Sequence, residues 1–311
     1  MSIEIGNVKL SSNAILAPMA GYSDLAFRFM CKECGAGLTC TEMVSAKALH
    51  YKNKKTEDLL FCLDGESPKA VQIFGHEPDV MAEAVKNPLL AGFDIIDINM
   101  GCPAPKIVSN GDGSALLKDI NLAEKIVKAC VAATEKPITV KFRIGFDENN
   151  INAVEFAKMC ESAGAAAITV HGRTTKQGYA GNVNYGIIRE VKNAVKIPVF
   201  ANGDCRSAED FEKILELTKA DGVMVGRASF GQPEFFAELI GNKMTVNKFE
   251  QIKFHYETML KYYSENYVVK YMRSHLAGYL KGRYKNTEAL VKLLKMEKYE
   301  EIIEFLCEIL A

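Results

Sequence analysis

The chain has 311 residues, 48% of them hydrophobic and 25% charged, an ordinary globular composition that excludes a disordered or collagen-like polymer. Its formal net charge of −1 supplies no global field that would draw a polyanion. Nine scattered cysteines, an odd number in a long chain, fit reduced thiols better than a disulfide framework.

Short β-branched runs recur along the chain, each followed by a segment of helical period. They are Ala14 to Ala17, Leu38 to Glu42, Ala70 to Phe74, Asp94 to Asn99, Ile138 to Arg143, Ala167 to His171, Ile197 to Ala201 and Gly222 to Val225. Between them, Ala153, Phe156, Ala157 and Cys160 share one helix face ahead of a Gly164 stop, and Phe211, Ile214, Leu215 and Thr218 share another behind a Ser207 cap. Eight alternating units with nearly continuous apolar strands predict an α/β fold, a (β/α)8 TIM barrel. An open doubly wound sheet is the alternative, but no full GxGxxG follows the first strand, and Gly111-Asp-Gly113 lacks the third glycine. Cys31 and Cys34 form a CxxC without a second close pair, which reads as helix packing, and no metal site is expected.

The strand pattern stops near residue 241, so the expected division is a catalytic barrel over 1–241 and a small helical domain over 242–311. Residues 249–285 carry seven Lys/Arg against three Glu, and 286–311 carry three Lys against six Glu, so the neutral total conceals a basic half. That half holds seven tyrosines: 256, 262, 263, 267, 271, 279 and 284. Cations interleaved with aromatics suit looped RNA, where phosphates need charge and splayed bases need stacking surfaces; a solvated helix face over a Tyr-containing core is the plain alternative. The start of the chain has no cationic lead into an apolar run, and no stretch reaches the roughly 18 apolar residues of a membrane span. A cytoplasmic protein with no membrane contact and no obligate protein partner is the expectation.

Side chains alternate along a strand, so residues two apart share a face. One parity collects Gln72, Asp97, Asn99, Lys141, Arg143, Thr169 and His171, with Asn202 just past the seventh strand. The other collects Val71, Ile73, Ile96, Ile98, Val140, Phe142, Ile168 and Val170. The apolar set faces the helices and the polar set faces the barrel axis, toward the C-terminal strand ends where TIM-barrel sites lie. Unsatisfied buried polar groups cost about 1–3 kcal/mol each, so a polar ligand is expected in the mouth. Asn202-Gly203-Asp204 and Gly226-Arg227 occupy the loops after strands seven and eight, the usual phosphate position. The two glycines let the backbone approach a phosphorylated cofactor that Arg227 neutralises.

Taken in order, Ala17-Pro-Met-Ala-Gly-Tyr-Ser-Asp24, Val71-Gln-Ile-Phe-Gly75, Asp97-Ile-Asn-Met-Gly-Cys-Pro103, Val140-Lys-Phe-Arg143, His171-Gly-Arg-Thr174, Asn202-Gly-Asp204 and Gly226-Arg227 resemble the signatures of the tRNA-dihydrouridine synthases. Arg273-Ser-His-Leu-Ala-Gly-Tyr279 resembles the helical domain of the bacterial DusB-type branch. The resemblance implies FMN at the barrel mouth, NADPH as its reductant, and reduction of uridine to dihydrouridine in the D-loop of tRNA. It implies that Pro18, Met19 and Ala20 lie along the flavin, that Gln72, Asn99, Lys141 and His171 contact it, and that Asn202, Gly203, Asp204, Gly226 and Arg227 hold its phosphate. Asp204 is expected to act through its backbone or a ribityl hydroxyl, not its charge. Many members have Trp after the HGRT segment; this chain has Tyr185 and no Trp, a difference expected to affect packing more than chemistry.

Reduction of the C5–C6 bond leaves a carbanion at C5 that needs a proton. Cys102, between Gly101 and Pro103 in the loop after strand four, is the expected donor, since an ordinary thiol of pKa about 8.5 is mostly protonated at neutral pH. Arg143, Arg173, Lys270, Arg273, His275, Lys281 and Arg283 are the expected RNA contacts. Two other readings compete: a dihydroorotate-dehydrogenase-like flavoenzyme acting on a free pyrimidine, and a non-catalytic RNA-binding barrel.

Overall fold

The computed structural model describes residues 3–282, 284 and 286–310. The eight barrel strands are β1 (Ala14–Leu16), β2 (Thr39–Ser45), β3 (Lys69–Phe74), β4 (Ile95–Met100), β5 (Ile138–Arg143), β6 (Ala167–His171), β7 (Val199–Asn202) and β8 (Gly222–Val225). They pair in parallel in the order β1-β8-β7-β6-β5-β4-β3-β2. A parallel bridge between Ile15 and Leu38 closes the ring, with Leu16 N–H donating to Leu38 O at 2.9 Å. The TIM barrel follows as expected from the strand and helix alternation. β2 runs on to Ser45 through an irregularity between Cys40 and Met43, which the β-branched run alone did not mark.

Both predicted helix faces form. Ala153, Phe156, Ala157 and Cys160 are buried on one helix, and Ser207 caps another by accepting from Asp210 N–H. The outward set Val71, Ile73, Ile96, Ile98, Val140, Phe142, Ile168 and Val170 is fully buried beneath helices. Inside the barrel a second, smaller apolar cluster gathers Ile15, Leu38, Ala70, Ile95, Phe200 and Met224 with Ile5 and Leu10. Ile5 belongs to an N-terminal hairpin, Glu4–Ile5 paired with Val8–Lys9, which plugs the floor and leaves the upper barrel to polar side chains.

The C-terminal helices are α2 (Lys248–Leu260), α3 (Glu265–Leu280), α4 (Thr287–Lys295) and α5 (Tyr299–Leu310), and the first barrel helix, α1 (Leu25–Glu33), packs against α2. Ile252, Tyr256, Met259, Met272, Leu276 and Tyr279 join the same core as Phe27 and Met30 of α1. Among the described residues no helix is long and apolar enough to cross a membrane.

One ion pair fixes α1 to the barrel. Arg28 donates to Glu66 at 2.6 and 3.3 Å and to the carbonyls of Ser23 and Phe61, while Thr39 of β2 donates to Glu66 at 3.0 Å. Both side chains are essentially solvent-free. Removing one partner of such a pair strands the other charge, so Glu66→Ala should lower unfolding free energy by about 3–5 kcal/mol. Urea denaturation followed by circular dichroism checks it, and a loss under about 1 kcal/mol, the range of exposed pairs, contradicts it.

Candidate active site at the mouth of the barrel

The inward parity places one layer of polar side chains above the apolar floor. Gln72 sits beside Asp97, and Asp97 beside Thr139, in register across β3, β4 and β5. Gln72 Nε2 donates to Asp97 Oδ2 at 2.7 Å and Thr139 Oγ1 to Asp97 Oδ1 at 2.6 Å. Burial raises the Asp97 pKa, opposed by those two hydrogen bonds and by the Lys141 charge. Asn99, one layer up, donates from Nδ2 to Gln72 Oε1 at 2.8 Å. Its Oδ1 accepts from the N–H of Gly101 at 3.1 Å and of Cys102 at 2.9 Å. A side chain in β4 thus holds the loop carrying Cys102, whose thiol is half-buried and free.

The same loop is gripped from three other sides. Arg143 Nε donates to Gly101 O at 2.9 Å, and its Nη1 reaches the carbonyls of Thr174 and Gly178. Ser114 donates to Cys102 O from both N–H and Oγ. Gly113, at φ +58°, approaches so closely that a Cβ there would stand 2.9 Å from Cys102 O.

Next along the top layer, Lys141 Nζ donates to Asn202 Oδ1 at 3.1 Å, and Asn202 Nδ2 donates to Met224 O at 2.8 Å. Burial and the neighbouring Arg143 push the Lys141 ammonium down to about 8. His171, level with Asn202, is kept neutral by burial and by Lys141, Arg143, Arg173 and Arg227 around it. At the loops after β7 and β8, Asp204 is held by Arg173 at 2.6 and 3.1 Å, by Arg227 at 3.3 Å and by Arg206 at 3.5 Å. Three guanidinium groups around one carboxylate leave a surplus of two positive charges at a surface cradle. Gly203, at φ +135°, turns this loop, and Tyr185 Oη donates to its carbonyl at 3.0 Å.

Several sequence expectations change in detail. The Asp204 carboxylate does act through its charge, because it organises three arginines; its own φ of +48° sets the turn that aims it. Tyr185 braces the loop as well as packing. Both ends of the Gln72 amide engage protein partners, Asp97 and Asn99. Arg143 and Arg173, each 2% exposed, hold backbone carbonyls and, for Arg173, Asp204. His275 is fully buried and also faces protein, against Asp24. Lys270 and Lys281 are exposed and Arg273 half-buried, whereas Arg283 lies outside the described residues. Of the tail tyrosines, 256 and 279 are core, and 262 and 267 are exposed. Pro18 and Met19 are half-buried and Ala20 exposed, in the loop facing Gly226, whose missing Cβ would stand 3.4 Å from Met19 Sδ.

Three site residues escaped the sequence reading. Thr139 carried the right signal, lying two residues before Lys141 on the inward parity. Arg206 sits two residues past Asp204, where an exposed arginine has no period to mark it. Tyr179, with its ring 4.7 Å from the Arg227 guanidinium carbon and 6.2 Å from the His171 ring, belongs to a loop whose path only the fold reveals.

Loss of the Asn99 acceptor leaves two loop N–H groups without their partner, at about 1–3 kcal/mol each. Asn99→Ala should therefore speed hydrogen exchange at Gly101 and Cys102 by roughly tenfold or more, read by amide exchange mass spectrometry. Unchanged protection there would mean that Arg143 and Ser114 suffice to hold the loop.

Residues 15–307 match the family model described as dihydrouridine synthase (Dus). A probable tRNA-dihydrouridine synthase of Rickettsia conorii is 43% identical over 290 residues, covering 90% of this chain and 88% of the relative. tRNA-dihydrouridine synthase B of Pseudomonas putida is 39% identical over 291 residues, covering 91% and 86%. The protein of the same name from Vibrio parahaemolyticus is 39% identical over 296 residues, covering 92% of both chains. With a match running from the first barrel strand into the last helix, the chain belongs to the dihydrouridine synthase (Dus) family, on its DusB-type branch.

Proposed function

We propose that this protein reduces the C5–C6 double bond of uridine in the D-loop of tRNA to 5,6-dihydrouridine, with bound FMN, NADPH as reductant and Cys102 as proton donor. The observation that carries the reading is the placement of a free, half-buried thiol on a loop clamped by Asn99, Arg143 and Ser114, at the rim of a barrel mouth lined by polar groups. The names of the relatives support tRNA as substrate and leave the free-pyrimidine alternative without comparable support.

The residues present fit a phosphorylated flavin. A surplus of two positive charges around Asp204 suits a phosphate, and Gly203, at φ +135°, gives the loop that carries Asp204 its turn. Pro18, Met19 and Ala20 would flank the ring, and Lys141, with His171 and Asn202, would face its polar edge. FMN bound there supplies hydride for the pyrimidine C6.

What the chain itself does is hold, orient and deliver a proton. Lys141 places positive charge where negative charge develops. His171, neutral at all ordinary pH, offers a hydrogen bond without adding charge. Cys102 Sγ–H transfers its proton to C5 from the face opposite the hydride, and the thiolate is reprotonated from solvent. The target base must leave its stack to enter the mouth, which selects a loop nucleotide, and the helices of 242–311 with exposed Lys270 and Lys281 would grip the surrounding RNA.

General-acid catalysis is worth roughly 10²-fold or more. Cys102→Ala should therefore keep its flavin and its NADPH oxidation but reoxidise at least about 10²-fold more slowly with unmodified tRNA in single turnover. Wild-type reoxidation rates in that variant would remove Cys102 from the acid role.

The Lys141 charge is present below about pH 8 and lost above it. Accordingly, kcat/KM with tRNA should fall as pH rises through about 8. Lys141→Arg, which stays charged, should move that fall upward. A wild-type profile flat to pH 9 would show that the charge is not needed.

A further inference from the structure

Away from the barrel mouth, three residues distant in sequence converge between the barrel and the C-terminal helices. Asp24 precedes α1, His255 lies on α2 and His275 on α3. Both histidines are fully buried and the Asp24 side chain is 4% exposed. One ligand atom from each lies within 4.8 Å of the others. Asp24 and His255 are 231 positions apart, so no motif spacing announced the cluster.

We propose that Asp24, His255 and His275 form a structural site for a zinc-class divalent transition metal ion, which ties the C-terminal helices to the barrel. Asp24 Oδ1 is already occupied: it accepts from the N–H of Ala26 and Phe27 at 3.0 Å each, capping α1, and lies 3.0 Å from His255 Nε2. Asp24 Oδ2 and His275 Nε2 stand 3.1 Å apart, both buried, and neither has any other hydrogen-bond partner among the described residues. Their lone pairs are thus free of other protein donors and face the same small space.

His255 is held from its far side, with Nδ1 2.9 Å from Tyr279 Oη, so that Nε2 is aimed at Asp24. Arg28 is committed to Glu66, and among the described residues the ion partners of Asp24 are His255 and His275. Two imidazole nitrogens and a carboxylate oxygen match the donor preference of Zn²⁺, and its bond lengths would set the donors about 3.3 Å apart, close to the spacings present. Tyr279 on Nδ1 then plays the part of the outer partner that fixes a ligating histidine.

The test uses the untagged full-length protein, stripped with chelator, incubated with ZnCl₂ or CoCl₂ and desalted. One zinc per chain should be retained, the cobalt form should show the intense visible bands of a tetrahedral nitrogen/oxygen site, and Tm should rise by about 5 °C at saturating zinc. His275→Gln and His255→Gln, with folding checked by circular dichroism, should lose the metal and the Tm response. Wild-type protein that retains no metal would overturn the proposal and leave a bound proton as the compensating charge. Equal retention by the variants would also overturn it, by placing the metal elsewhere. Flavin content and NADPH oxidation, measured on the same samples, keep this outcome separate from that of the proposed activity.

Discussion

The Asp97 carboxylate is buried inside a closed parallel barrel, and the polar side chains of this site are arranged around the way it is answered. Gln72 and Thr139 bond its two oxygens, and Lys141 lies one layer above. Because Gln72 is thereby held at one end, its other end can fix Asn99, and Asn99 in turn fixes the amides of Gly101 and Cys102. A line of hydrogen bonds runs from the interior of the barrel to the loop that carries Cys102. Each member is buried, so each must be satisfied, and that requirement gives the loop its position.

The barrel divides its interior by height. Ile5, Leu10, Phe200 and Met224 gather in one apolar cluster at the floor. Above it the inward residues become polar strand by strand, and at the rim the charges become cationic: Lys141, Arg143, Arg173, Arg206 and Arg227. Asp204 pairs with the last three, of which Arg173 is buried and Arg206 and Arg227 are exposed. The result is a neutral histidine among cations, a setting suited to an anionic, planar, phosphorylated ligand and to a transition state that gathers negative charge.

Strand number, strand order and the inward face could be read from sequence because a two-residue period leaves no ambiguity once one face is covered by helices. Gln72, Asp97, Asn99, Lys141 and His171 were found that way, and Thr139 obeys the same rule. The destinations of long side chains could not be read so. Arg143 and Arg173 carry the charge expected of an RNA contact, but they turn onto the carbonyls of Thr174, Gly178, Ala180 and Gly181, supplied by a loop whose path no local pattern dictates. His275 sits on a helix face that the tail's charge count treats as surface, and tertiary packing places it against Asp24 instead. The tail tyrosines divide similarly: Tyr256 and Tyr279 build the core, while Tyr262 and Tyr267 are exposed and pack on Phe61 and on Tyr263 and Tyr271.

Reduction of uridine within tRNA is the reaction proposed for the polar mouth with Cys102 at its rim. The most direct test incubates purified wild-type protein, loaded with FMN and supplied with NADPH, with an unmodified tRNA transcript, and measures dihydrouridine in the digested RNA by mass spectrometry. The proposed reaction yields dihydrouridine at a D-loop position, in an amount that grows with the NADPH consumed. A flavin-loaded, NADPH-oxidising protein that leaves every uridine of the transcript unreduced would contradict it.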